Sequence, residues 1–194
     1  MANSKVKIKS IKNLSNNHYI LDKVNFDYKT KDGIWKNQNR ESYNRGDGAA
    51  ILLYNPIKNT VILTKQFRMP SFLNGNVDGM MIEVCAGLLD ENDPITCIKN
   101  EAEEETGYQI KNPKKVFEIY STPGAVTEKI HYFIAEINET MKISEGGGLE
   151  EESEEIEVLE IPFEKALNMI YSGEIKDAKT IILLQHAKIK NLTT

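Results

Sequence analysis

The fold of this chain follows from one stretch, Met80–Tyr108, which reads MMIEVCAGLLDENDPITCIKNEAEEETGY. The apolar residues at its start predict a buried strand. Asp93 is suited to cap a helix and Pro94 to the first helical position, where the missing N–H of proline has no cost. Gly107 is suited to end that helix, since glycine readily adopts the left-handed conformation found after a helix C-terminus. The stretch therefore predicts a strand, a loop and a helix in direct succession.

Acidic residues crowd the end of the predicted helix. Its apolar residues share one arc of the helical wheel, namely Ile95, Ile98 and Ala102. Three glutamates share a neighbouring arc, namely Glu101, Glu104 and Glu105. Like charges at this spacing repel one another, and the negative end of the helix dipole disfavours anions. A glutamate run can be a solvated face, but an all-oxygen cluster also suits a hard cation such as Mg²⁺.

Composition limits the classes of function. The 194 residues suit one domain, with or without a small extension, and the net charge of −5 gives no basic footprint for nucleic acid or an anionic membrane. No apolar run approaches the length of a membrane span, and the N-terminus lacks a signal-peptide pattern. Cys85 and Cys97 are expected to be buried free thiols, which fits a reducing cytoplasm.

The rest of the chain predicts strands around this centre and helices at the end. Alternating residues predict an N-terminal meander of three strands, within 6–11, 19–28 and 35–43. Two dense apolar strands follow, and residues 69–79 read as a long loop. Further strands are expected near 116–120, 130–137 and 156–162, and helices at 163–171 and 178–189. This order predicts an α+β domain, layered α/β/α, with a mixed sheet.

Two residues allow two interpretations each, and a third feature has a composition that favours one. Glu83 lies in a predicted strand, where alternation could turn it to solvent, or where, one strand away from the acidic helix, it could support the metal shell. Arg68 follows a strand end, as a surface residue or as a planar fork for phosphate. Residues 141–155, MKISEGGGLEEESEE, have the composition of a disordered, solvated loop.

The helix and the segment before it resemble the Nudix box, G-x5-E-x7-R-E-U-x-E-E-x-G-U, where U is apolar. Counting back from Gly107, the residues Glu101, Ala102, Glu104 and Glu105 match in register, and Tyr108 stands at the final U. The first half departs from the pattern. The interval after Gly87 is one residue short, so Asn92 or Asp93 takes the place of the first glutamate, and Asn100 takes that of the arginine.

Further segments resemble one branch of the Nudix family, the GDP-mannose pyrophosphatase (NudK-type) group, close kin of the ADP-ribose pyrophosphatases. They include RGDGAAILLYN, STPGAVTE, the GGG run and SGEIKDAKT. The resemblance implies a Nudix-type α/β/α sandwich at 46–194 and an N-terminal β region at 1–45. That region is expected to mediate a domain-swapped homodimer.

The resemblance also implies a set of site residues. The implied metal ligands are the carbonyl of Ala86 and the carboxylates of Glu101, Glu104, Glu105 and Glu154. The implied catalytic residues are Glu105 and a loop base, Glu154 in preference to Glu152. The implied substrate contacts are His18, Asn39, Arg40, Glu41, Arg68, Gly87, Leu88, Glu128 and Lys179.

The activity implied by this resemblance is hydrolysis of a nucleotide sugar, with Mg²⁺ and possible use of Mn²⁺. GDP-mannose is the expected substrate and would give GMP and mannose 1-phosphate in the cytoplasm. Two alternatives stay open. One is ADP-ribose hydrolysis by the same chemistry, and the other is a catalytically weakened nucleotide-sensing module, which Asn100 and the missing first glutamate would favour.

Overall fold

The computed structural model describes residues 5–149 and 155–193. The chain divides into two compact units. The first comprises Met1–Asp47 and Tyr120–Lys129, and the second comprises Gly48–Ile119 and Ile130–Thr194. No helix in the described part of the chain is both long enough and apolar enough to span a membrane.

The first unit contains a three-stranded antiparallel sheet. Its strands are β1 (Val6–Asn16), β2 (Ile20–Lys29) and β3 (Trp35–Asn44), in that spatial order. This confirms the predicted meander, although β1 is longer than the sequence suggested. The loop of residues 120–129 belongs to the same unit, since Val126 forms a parallel bridge with Tyr43 at the end of β3.

The second unit is built on a mixed sheet. Its strands are β4 (Gly48–Asn55), β5 (Thr60–Phe67), β6 (Met80–Glu83), β7 (Cys85–Leu88), β8 (Lys114–Tyr120), β9 (Lys129–Glu136) and β10 (Glu157–Pro162). The spatial order is β10-β5-β4-β9-β8, while β6 pairs with β5 and β7 pairs with β4. Only the pairing of β4 with β9 is parallel among the strand pairs described with a register.

Helices cover both faces of this sheet. The helices are α1 (Met69–Leu73), α2 (Pro94–Thr106), α3 (Phe163–Ser172) and α4 (Ala178–Ile189). Alternate residues of β4 point to opposite faces, as the pleat requires. Ile51 and Leu53 join a core with α2, whereas Ala50 and Leu52 join a core with α3 and α4. The predicted α/β/α sandwich with a mixed sheet is therefore confirmed.

Three local predictions were wrong. The loop predicted at 69–79 contains the short helix α1, with Pro70 in its first turn, where proline fits. Ile95 was predicted to lie on the apolar face of α2, but it is 47% exposed. The buried residues of this helix begin only at Cys97 and Ile98, so the first turn lies outside the core. The described residues of 141–155 are not the disordered loop that composition favoured, since 143–148 bind the end of α2 through backbone hydrogen bonds.

Candidate active site

The ends of α2 are fixed as the sequence predicts. Asp93 is the N-cap, and its Oδ1 accepts hydrogen bonds from the backbone N–H groups of Ile95 (2.9 Å) and Thr96 (3.2 Å). The hydroxyl of Thr96 donates to the same carboxylate, and these bonds lower the pKa of Asp93. Gly107 follows the helix at a φ of +77°. Asp93, near the place of the first box glutamate, is thus engaged in capping.

Two box glutamates lie over the short strand β7. Glu105 is buried, and its Oε2 accepts a hydrogen bond from the N–H of Ala86 at 3.3 Å. Glu101 stands one helical turn earlier and covers Gly87 so closely that a Cβ atom there would overlap the Glu101 carboxylate. The glycine therefore provides the space that brings this carboxylate against the strand, beside Glu105.

The third glutamate of the predicted arc has a different environment. Glu104 is exposed, and its backbone carbonyl accepts the N–H of Gly148 at 3.2 Å. The carbonyl of Glu105 accepts the N–H of Gly147 at 3.0 Å. Gly146 has a φ of +69°, and a Cβ on it would collide with the backbone of α2. The triple glycine thus caps the helix end and brings the chain to the acidic segment beyond it.

Both cysteines are buried and unbonded to each other, as predicted. Burial raises the pKa of the Cys97 thiol to about 12. Burial, followed by the nearby carboxylate of Glu105, raises the pKa of Cys85 well above its usual value. Thiols that stay protonated are poor nucleophiles and poor metal ligands. The groups of this region that can bind a metal are therefore its oxygen atoms.

A partly buried ion pair joins the ends of β5 and β6. The carboxylate of Glu83 is almost fully buried, and its Oε2 accepts hydrogen bonds from Arg68 Nε (3.0 Å) and Nη2 (2.6 Å). Burial opposes the charge of Arg68, but the carboxylates of Glu83, Glu105 and Asp177 outweigh it and raise the pKa of the guanidinium. The structure therefore excludes the solvent-facing interpretation of Glu83, whose side chain is buried and binds Arg68.

The start of α4 reaches the same ion pair. Asp177 caps the helix by accepting the backbone N–H of Thr180 at 2.9 Å, and its other oxygen accepts Lys179 Nζ at 2.7 Å. Lys179 Nζ also lies 4.0 Å from Glu83 Oε1. The hydroxyl of Thr180 accepts the N–H of Val84 at 2.7 Å, so the helix is tied to the strand.

The sequence did not single out Asp177 or Thr180. An acidic residue two positions before a lysine at a predicted helix start is a possible N-cap signal. That local signal does not indicate the hydrogen bond between Thr180 and Val84, which lie more than ninety residues apart, because this bond depends on tertiary packing.

Several residues that the resemblance implied belong to the first unit. Glu128 Oε2 accepts the hydroxyl of Ser121 at 2.7 Å, and its Oε1 lies 3.5 Å from Arg45. His18 is exposed, with its ring 4.3 Å from that of Tyr19. The remaining three are consecutive exposed residues of β3: Asn39, Arg40 and Glu41.

Arg40 is held within its own strand. Its guanidinium donates to the carbonyl of Asn39 at 2.7 Å and to the side chain of Gln38 at 3.0 Å. Glu152 and Glu154, the predicted loop bases, lie outside the described residues.

The described donors suit a hard divalent cation. The carboxylate of Glu105 accepts the N–H of Ala86, and that of Glu101 lies against Gly87, which provides the room for it. Within residues 5–149 and 155–193, no group of three or more His, Cys, Asp or Glu side chains is arranged to hold a metal. Two carboxylates are nevertheless the usual protein share for Mg²⁺, which keeps waters and substrate phosphates as its other ligands.

The box arginine position does not contribute a charge. Asn100 is exposed on α2. The cation whose pKa responds to Glu105 is instead Arg68, which comes from the end of β5. Although the box arginine is absent, a positive group, Arg68, therefore still lies near the buried Glu105.

Comparisons with known proteins identify the family of the chain. The family model for the GDP-mannose pyrophosphatase NudK N-terminal domain matches residues 5–43, and that for the NUDIX domain matches residues 44–184. The chain is 54% identical to a GDP-mannose pyrophosphatase of Pectobacterium atrosepticum, over 96% of each chain. It is 51% identical to proteins of that name from Cronobacter sakazakii and Salmonella typhimurium, over 92% of this chain and 93% of theirs.

Divalent-metal dependence is general among Nudix domains, and the carboxylates described above fit it. A Nudix domain that covers most of the chain, together with relatives more than half identical over nearly its whole length, establishes its family. The chain belongs to the Nudix hydrolases.

Proposed function

We propose that this protein hydrolyses the pyrophosphate bond of GDP-mannose and releases GMP and mannose 1-phosphate. The observation that carries the proposal is the pair Glu101 and Glu105 packed over Ala86 and Gly87 in a Nudix box. The names of the relatives, which align along nearly the whole chain, support GDP-mannose over ADP-ribose as the substrate.

We further propose that the ion is Mg²⁺, with Mn²⁺ able to replace it. Its ligands would be Glu101, Glu105, the carbonyl of Ala86 and a loop glutamate, Glu154, with Glu104 alongside. When bound, a divalent cation neutralises the charge of the diphosphate and lowers the pKa of a bound water. Glu154, or else Glu152, would accept the proton of the attacking water as a general base.

The remaining proposed residues bind and orient the substrate. Arg68 and Lys179 present positive charge that suits a diphosphate. Gly87 and Leu88 are the last two residues of β7, and Gly87 lies against the carboxylate of Glu101. In the first unit, Glu128 and the groups His18, Asn39, Arg40 and Glu41 would contact the nucleotide or the sugar.

We also propose that the active form is a cytoplasmic homodimer, with residues 1–45 as the dimerisation region and 46–194 as the Nudix domain. The edge strand β1 leaves Ile8 58% and Ile11 61% exposed, an apolar surface suited to a second copy. The two family models meet at residues 43 and 44. Light scattering is expected to give twice the chain mass of 22.0 kDa.

A substrate panel tests the activity. Purified protein with Mg²⁺ is incubated with GDP-mannose, ADP-ribose and other nucleotide sugars, and a phosphatase then releases phosphate from the products. We expect GDP-mannose to be the best substrate. A tenfold preference for ADP-ribose would overturn the choice of substrate, and hydrolysis of none would overturn the activity.

A charge-removing variant tests the site. Glu105→Gln is expected to lose activity but to keep nucleotide binding in calorimetry. Glu164→Gln, which breaks an exposed ion pair with Lys188 on the helical layer, is the matched control and should behave as the wild type. Full activity in Glu105→Gln would contradict the proposed role of the box.

A further inference from the structure

We propose that Glu83 is a positioning residue that holds Arg68 and Lys179 as a pair of cations for the diphosphate of the substrate. The proposal rests on the function proposed above, since it assigns the diphosphate as the group that the pair receives. Glu83 does not belong to the box motif, and it would act through its two partners without contacting substrate or metal.

Both oxygens of Glu83 face cations. Oε2 accepts from Nε and Nη2 of Arg68, at 3.0 and 2.6 Å, and Oε1 lies 4.0 Å from Lys179 Nζ. Two N–H groups on one carboxylate fix the plane of a guanidinium, which a single contact would leave free to rotate. The side chain of Glu83 is only 6% exposed, so water does not compete for these bonds.

Lys179 is held from a second side. Asp177 accepts its Nζ at 2.7 Å and also caps α4, while Thr180 joins α4 to Val84, the residue after Glu83. The end of β6 and the start of α4 are thus bonded to each other through both a backbone group and a lysine. This arrangement sets where the ammonium lies relative to the guanidinium.

Arg68 keeps donors available for a ligand. A guanidinium has five N–H groups, and Glu83 engages one on Nε and one on Nη2. The other three have no hydrogen-bond partner in the described part of the chain. The Arg68 side chain is 40% exposed, whereas its partner is buried. A buried carboxylate behind a partly exposed arginine side chain is the arrangement expected when the remaining donors receive an anion.

The alternatives predict different behaviour. A purely structural ion pair would affect stability but not substrate affinity, and buried pairs often add little to stability in any case. A role in the metal site would change the response to Mg²⁺. A positioning role changes the affinity for the diphosphate and depends on Arg68.

The test is Glu83→Gln, which keeps the shape of the side chain and removes its charge. We expect the KM for GDP-mannose to rise about tenfold, with kcat and the Mg²⁺ activation constant within twofold of the wild type. The control Glu164→Gln should leave all three unchanged. A raised Mg²⁺ constant with unchanged KM, or a lowered Tm with unchanged KM, would each overturn the proposal.

A double-mutant cycle tests whether Glu83 acts through Arg68. If it does, adding Glu83→Gln to Arg68→Ala should raise KM by clearly less than the tenfold expected in the wild-type background, because only the contact of Glu83 with Lys179 is then left to lose. A full tenfold further rise of KM in the Arg68→Ala background would reject the action of Glu83 through Arg68.

A binding measurement separates this proposal from the proposed function. The affinity for GDP is measured by calorimetry without added metal, in the wild type and in Glu83→Gln. Weaker binding in the variant supports the positioning role even if the wild type hydrolyses no GDP-mannose. Equal binding overturns it, whatever the hydrolysis assay shows.

Discussion

Replacing Gly87 by alanine should remove most of the activity with little effect on folding. The backbone of Gly87 is not in the left-handed region, so alanine is acceptable there as far as the main chain is concerned. The added methyl group would overlap Oε1 and Cδ of Glu101 and lie 2.8 Å from its Cγ. The glutamate must therefore move aside, and it can do so because it is only half-buried.

The size of the effect follows from that displacement. Ordinary contact between carbon atoms needs about 3.5–4 Å, so the carboxylate must shift by about 1 Å or more. A misplacement of that size at a reacting centre lowers the rate by about 100-fold. This corresponds to about 2.7 kcal/mol of lost transition-state stabilisation. The Mg²⁺ activation constant should rise as well, since Glu101 is a proposed ligand.

Three measurements check this prediction: kcat/KM for GDP-mannose, the Mg²⁺ activation constant and the Tm. Gly124→Ala is the matched control, because no heavy atom of the described residues, its two chain neighbours apart, lies within 4 Å of the position that its Cβ would take, and its φ is ordinary. We expect both variants to keep a Tm near that of the wild type. Activity of Gly87→Ala within threefold of the wild type would refute the reasoning, and so would a collapse of its Tm alone.

Two further predictions concern stability. Thr180→Val leaves the buried N–H of Val84 without its acceptor. We expect the free energy of unfolding to fall by about 1–3 kcal/mol and hydrogen exchange at that amide to become faster. The control Thr180→Ser keeps the hydroxyl and should retain most of the stability. The pKa of Asp93 is lowered in the folded state by Thr96, so its contribution to stability is complete above the unfolded pKa of about 4 and is lost as the pH falls toward the folded value. As the pH falls below about 4, the free energy of unfolding of Asp93→Asn should therefore decrease less than that of the wild type. The same pH dependence in both proteins would contradict the prediction.

Sequence reasoning succeeded where the signal is local. Asp93, Pro94 and Gly107 specify the ends of α2 through interactions with their own neighbours, and the structure has the helix between them. The dense apolar run of β4 likewise predicted a central strand, and both of its faces are buried. Such features need no knowledge of distant parts of the chain, so the order of elements and the layered fold could be predicted.

It failed where a side chain is placed by tertiary contacts. Glu83 could not be assigned to either face from alternation, because its burial depends on Arg68, fifteen residues earlier, and on Lys179, almost a hundred residues later. The same applies to Thr180, whose partner is Val84. These residues surround the candidate site. The contacts that hold the site in place were therefore less predictable from the sequence than the box motif itself.

The loop of residues 143–148 shows a different kind of failure. Its glycines suggested disorder by composition, but the structure places them against the end of α2. Gly146 would collide with the helix backbone if it carried a Cβ, and Gly147 and Gly148 donate to its last carbonyls. Glycine here permits close packing, and composition alone cannot distinguish that use from flexibility.

This loop also changes the argument from charge that first indicated a metal. Acidic residues at the end of a helix are disfavoured by its dipole, but the N–H groups of Gly147 and Gly148 already satisfy the carbonyls of Glu105 and Glu104. Arg68 supplies further positive potential at Glu105. The helix end thus tolerates its carboxylates partly through groups of the chain itself. Such a site is preformed before any cation binds. Glu105→Gln should therefore alter the affinity for the metal without rearranging α2. Changes in the backbone chemical shifts along the whole of α2 would contradict this view.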